Sequence, residues 1–317
     1  MNININMTTP AAFFSWQRFV HVEVSRKTSE LLQIDLFFLE TSREDHIHVE
    51  LFIKDFTINN AVLERIRPVS GAIRPLSLVF LRGKSIYLKE AKSLKEAILS
   101  WGETQALTLP LTEAGKSPPL AEREHFAGLF SEMISNVLQA EAFLYQERGV
   151  ASLEEYDRFF SDLFDDTCIL YRTPRGALPL EDVYTQKQQR FIDLFSRNRS
   201  VVISRPDHPE QSGDRAVQIN VHFSDSFHEI ALALRVLPFS DPPYLIEKAW
   251  GNFLRVPDLQ CREAAGKLQE LAGLSLLPAE KRKIISLLNG PEGCSHLCDM
   301  VMDAVDALQA FCNAIKD

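Results

Sequence analysis

LLQIDLFF at residues 31–38 and AVQINVHF at residues 216–223 decide how this chain folds. In both, large apolar residues fall on alternate positions, which is the period of a strand with one buried face. A polar break follows each, and then a second alternating run: HIHVELFI at 46–53 and HEIALALRV at 228–236. Next comes a loop leading into an expected helix start, DFTINNAVLERI at 55–66 against PFSDPPYLIEKA at 238–249. Each stretch closes on a long amphipathic helix, ending VLQAEAF at 137–143 and ALQAF at 307–311. Such ordered agreement predicts a tandem duplication.

The expected class is therefore α+β, with strands first and helices after them. Each unit is read as an antiparallel meander of about three strands (20–24, 31–38 and 46–53; then 200–204, 216–223 and 228–236) covered on one face by helices. The expected organisation is an N-terminal unit over 1–149, a helical connector over 150–195 and a C-terminal unit over 196–317. In the connector Leu153, Tyr156, Phe159, Phe160, Leu163 and Phe164 recur at helical spacing opposite a charged face. TPRGALPLED at 173–182 breaks the pattern, and QKQQRFIDLF at 186–195 is expected to resume as a short helix.

Composition narrows the function classes. The chain has 317 residues, 45% hydrophobic and 24% charged, enough to bury two cores, and a net charge of -9 with no dense Lys/Arg block. An acidic chain without a basic stripe lacks the electrostatic footprint of a nucleic-acid or anionic-membrane binder. No run of eighteen apolar residues occurs, and the opening MNININMTTPAAFFSW is not read as a signal peptide. Five cysteines are an odd number in so long a chain, and they are expected to be reduced thiols in the cytoplasm.

GPEGCSHLCDM at 290–300 is the stretch richest in chemistry. Gly290, Pro291 and Gly293 break what precedes, Ser295 is expected to cap a helix, and the apolar stripe Leu297, Met300, Val301, Ala304, Leu308 and Phe311 follows. Residues two apart on a helix diverge by about 200°, so His296 and Cys298 cannot converge on one ion. A thiolate at Cys294 or Cys298 would be stabilised by the helix N-terminus wherever solvent reached it. The alternative is that these residues pack and hydrogen-bond inside the fold.

Gly293-Cys294-Ser295-His296-Leu297, together with Pro257, Cys261 and Leu271-Ala272-Gly273-Leu274, resembles a bacterial domain of unknown function, family number twenty-eight eighty-nine. The likeness runs from about 200 to 312 and does not include Cys298. The N-terminal unit has EREHFAGLF at 122–130 where the signature would fall, with His125 but no cysteine, and is read as a degenerate copy. A fainter likeness to iron–sulfur cluster assembly scaffolds implies that Asp214, Cys261, Cys294 and His296 share one region, with a metal or a cluster as the cofactor it would hold. The scaffold's first cysteine, beside Asp214, is missing.

Other groups carry weaker signals. His46 and His48 alternate along one strand and share a face, a two-ligand spacing with no third ligand in view. His222 and His228 also fall on strands of the second unit. Asp165 and Asp166 read as an acidic helix end, and Trp250 and Phe253 as core residues or as the lining of a pocket beside Cys261. Phosphate loops, GxSxG, HExxH and EF-hand motifs are absent. No catalytic residue can be named, and the expectation is a non-catalytic binding or assembly protein with a protein partner or a second copy of itself. A thiol-dependent function at Cys261, Cys294 and His296 is the alternative.

Overall fold

The computed structural model describes residues 15–41, 43–67, 75–101, 119–172, 190, 192–205, 216–238 and 243–314. Among these residues nine antiparallel strands form one sheet: β1 (Ser15–Arg26), β2 (Leu31–Glu40), β3 (Arg43–Phe52), β4 (Ile58–Arg67), β5 (Leu76–Ser77), β6 (Asp193–Ser204), β7 (Val217–Asp225), β8 (Glu229–Leu237) and β9 (Leu245–Arg255). Their order is β5-β4-β3-β2-β1-β6-β7-β8-β9, so two meanders meet at a seam between β1 and β6. Along that seam Trp16 pairs with Ile203 and Val24 with Phe195.

Burial alternates along each strand. Leu32, Ile34, Leu36 and Phe38 of β2 and Ile219, Val221 and Phe223 of β7 face the helices, as the two opening motifs require. Among the described residues the α-helices are α1 (Ala91–Leu99), α2 (Leu120–Glu141), α3 (Leu153–Leu163), α4 (Lys281–Leu288) and α5 (Ser295–Ala314). A run of 3-10 turns, Leu259–Leu271, packs along β9. Buried apolar residues form two clusters, one under α1, α2 and α3 and one under α4, α5 and the 3-10 run. Each cluster borrows across the seam. Trp16 of β1 enters the second, while Leu194, Phe195 and Phe227 enter the first.

The α+β class is as expected, but each half contributes four long strands rather than three. The segments expected as helix starts, 55–66 and 238–249, run into β4 and β9 instead. Register shifts in the β3–β4 and β8–β9 ladders place the buried residues at Ile58 and Ala61, and at Ile246, Ala249 and Phe253. The bulges thus set Ile58 and Ala61, and Ile246 and Ala249, three residues apart, a helix-like spacing in chain that is extended, while Gly251 takes the inward position between Ala249 and Phe253. The helix expected over 186–195 is also corrected at its end, because 193–195 belong to β6; residues 186–189 and 191 lie outside the described set.

All the described helices pack on one face of the sheet. On the other, side chains pair across strands in rows: Asn198, His21, Phe37, His46 and Glu64 form one row over β6, β1, β2, β3 and β4. No described helix is long and apolar enough to cross a membrane.

Candidate functional site

Cys294, not Ser295, occupies the cap position of α5. Its carbonyl accepts the Cys298 N–H at 3.0 Å, and the N–H groups of His296 and Leu297 point at its sulfur. The turn before it is closed by the Cys294 N–H donating to Leu288 O at 2.7 Å. That closeness requires glycine at 293, because a Cβ there would sit 2.1 Å from the Leu288 carbonyl oxygen. The Gly293 carbonyl in turn accepts the Ile169 N–H at 2.9 Å, which docks the connector onto the turn.

This docking carries Cys168 into the region of Cys261 and Cys294, where Cys168 raises the pKa of both and Cys261 adds to the rise at Cys294. Burial is the larger cause. It pushes Cys261 and Cys294 up to about 12 and Cys298 up to about 11, and raises Cys168 as well. The pull of the helix N-terminus on a thiolate is therefore outweighed by loss of solvent, and these four sulfurs are protonated thiols at neutral pH. All five cysteines are free.

His296 turns away from the sulfurs. It packs against Phe223 with ring centroids 4.8 Å apart and against His228 at 4.2 Å. Asp225, at the end of β7, completes the group. Its Oδ1 accepts the Phe227 and His228 N–H groups at 2.7 Å each and faces His228 Nδ1 at 3.0 Å, while Oδ2 lies 3.4 Å from Arg197 Nη2. Burial alone would raise the Asp225 pKa, but His228, Arg197 and His296 outweigh it and hold the carboxyl well below its usual range. Burial, then His228 and the two arginines, hold His296 neutral.

From Asp225 a buried chain of charges crosses the seam. Arg197 on β6 donates to Ser135 Oγ at 2.9 Å and lies 3.6 Å from Glu132 on α2. Arg199, two residues on, meets Glu132 at 2.7 Å and Asp303 of α5 at 3.1 Å. Burial pushes Asp303 up to about 6 in spite of Arg199. The N-terminal half has its own version: buried Asp45 is paired with Arg43 and Arg65, with His125 of α2 at 3.4 Å. In each half the long helix that follows the strands thus sets a histidine against a buried aspartate beside a strand hairpin.

Among the described residues, two groups of three possible metal ligands have their ligand atoms all within 4.8 Å of one another: Asp225, His228 and His296, and Asp35, His46 and His48. Neither contains a cysteine. The first is poorly suited to a dication, since Arg197 and Arg199 stand beside it and Asp225 Oδ1 already accepts backbone N–H groups. The second lies on the face that carries none of the described helices, where β2 supplies the carboxylate that the His46 and His48 spacing left missing.

Of the residues singled out from sequence, Cys261 and Cys294 share a core and His296 is directed to Asp225 and His228. Asp214 lies outside the described residues. Phe253 is buried against Ile230 of β8, whereas Trp250 is 43% exposed on the outward side of β9, with Lys248 Nζ 5.6 Å from its ring. Core packing of Trp250 is thus corrected by its place on an outward position of an edge strand. Sequence reasoning missed Arg197, Arg199, Glu132 and Asp225. Arg197 and Arg199 alternate on a strand face that is otherwise apolar, and this was the available signal.

Residues 204–309 match the model of a family described as protein of unknown function (DUF2889). No curated protein and no solved structure matches the chain.

Proposed function

We propose that the chain is a non-catalytic binding protein that presents to its ligand the sheet face on which none of the described helices packs, built from two copies of one unit and working in the cytoplasm. One observation carries this reading: the reactive groups on the helix side are already committed inside the fold. The Cys261, Cys294 and Cys298 thiols are buried and protonated, His296 is neutral, and Asp225 is bound by its own hairpin and Arg197. The outward face offers Phe37, 40% exposed, and Trp250 among histidines and carboxylates. The paired meanders and the aspartate–histidine contact repeated in each half support the duplication.

A second reading has one observation in its favour, the convergence of Cys168, Cys261 and Cys294. A thiol-dependent function would use them as metal or sulfur ligands once deprotonated. Thiol titration of the native, anaerobically purified chain, with metal analysis, separates the two. The binding reading expects Cys168, Cys261, Cys294 and Cys298 to react only on unfolding, and the Cys294→Ser variant to keep the wild-type metal content. Fast native reaction of Cys294, or metal lost with its thiol, would overturn it.

A further inference from the structure

We infer that Asp35, His46 and His48 form a binding site for a divalent first-row transition metal ion on the open sheet face. The inference rests on the reading above and names a ligand class for that surface.

Two cross-strand neighbours build the site. Asp35 of β2 is the register partner of His48 on β3, and His48 Nδ1 contacts Asp35 Oδ1 directly. His46, two residues along β3 on the same face, brings Nε2 to 3.8 Å from the same oxygen. That Nε2 is buried and has no hydrogen-bond partner, an arrangement that is costly for an imidazole nitrogen unless something fills the gap. Phe37, the register partner of His46, stacks on its ring at 3.8 Å and fixes its orientation, and His46 and His48 have centroids 3.8 Å apart. An ion here would take the place of the proton between His48 and Asp35 and satisfy His46 at once.

The surroundings suit a cation. Glu64 pairs with His46 across the β3–β4 ladder, and Lys27 is held by Glu50. The His48 side chain is 37% exposed, so solvent reaches the site and water can fill the remaining coordination positions. Two imidazoles and one carboxylate are the donor set of open, exchangeable sites for zinc, iron(II), cobalt, nickel or copper rather than for calcium or magnesium. Three ligands with open positions also distinguish it from a closed structural zinc site.

Matched against the opening motifs, Asp35 corresponds to Asn220 and Phe37 to His222, and the register partners of those two are Ala233 and Ala231, in the places that His48 and His46 hold on β3. The triad therefore belongs to the N-terminal half alone, outside residues 204–309.

Titrating the full chain with cobalt(II) chloride under anaerobic conditions, by calorimetry and by visible d–d absorption, tests the site. The expected result is one equivalent bound. Affinity should fall in His46→Ala and His48→Ala by more than the roughly 10–100-fold that loss of an outer-shell partner costs. Asp35→Asn should weaken binding, and His222→Ala, an exposed histidine elsewhere on the same face, should leave it unchanged. Unfolding midpoints check that each variant folds. No stoichiometric binding, or binding that survives in both histidine variants and is lost in His228→Ala, would overturn the site. Such a failure leaves the binding reading itself to the thiol titration, which does not depend on cobalt.

Discussion

Replacing Arg199 by methionine should unclamp the two halves from each other. Arg199 stands on β6 between Glu132 of α2, 2.7 Å away, and Asp303 of α5, 3.1 Å away. At an effective dielectric of about 20 each contact is an attraction of about 5–6 kcal/mol, most of it offset by the desolvation of the charges when the pair formed. Removing only the guanidinium leaves two buried carboxyls without that compensation, and the cost of breaking such a network is about 3–5 kcal/mol. With a urea slope of about 3 kcal/mol/M, the unfolding midpoint should fall by about 1 M or more at slightly alkaline pH. The loss should shrink in mildly acidic buffer, where Asp303, already pushed up to about 6, takes up a proton. Arg199→Met with Asp303→Leu should recover part of it, because an apolar pair needs no counter-charge. A loss below about 1 kcal/mol in the single variant would refute the clamp, since surface ion pairs alone cost that little.

Two further outcomes follow from the same geometry. Gly293→Ala should destabilise the chain by about 2 kcal/mol or more in thermal or urea unfolding, since its Cβ would meet the Leu288 carbonyl carbon at 2.6 Å; an unchanged midpoint would mean the turn relaxes freely. Asp45 titrates at about 2 rather than 3.8, because Arg65, Arg43 and His125 outweigh its burial, so it should contribute about 2 kcal/mol above pH 4. With the folded pKa the lower one, that stability is lost as pH falls from about 4 to about 2. Unfolding free energies of wild type and Asp45→Asn should therefore converge over that window, and parallel curves would contradict the pairing.

Much of the sheet was legible because its inward strands obey a period of two: β2, β3, β7 and β8 begin and end within a few residues of the alternating runs. β4 and β9 were not, since bulges set Ile58 and Ala61, and Ile246 and Ala249, at a helix-like spacing of three. The GPEGCSHLCDM stretch was read correctly as a helix start, but which neighbours His296 would meet depends on Asp225 and His228, about 70 residues earlier, and strand register sets that. The third ligand for His46 and His48 was hidden for the same reason, because Asp35 becomes their neighbour only when β2 pairs with β3. Arg197 and Arg199 stand out as charges on an otherwise apolar strand face, but that they meet Glu132 and Asp303 follows only once β1 and β6 are known to pair.

Hydroxyl-radical footprinting read residue by residue addresses the open sheet face most directly. Phe37 and Phe38 are neighbours on opposite faces of β2, 40% and 5% exposed. The account predicts strong labelling of Phe37 and Trp250 in the purified chain, with Phe38, Phe223 and Phe253 protected until it unfolds. Protection of Phe37 and Trp250 equal to that of Phe38 would contradict it, for the face offered to a ligand would then be covered.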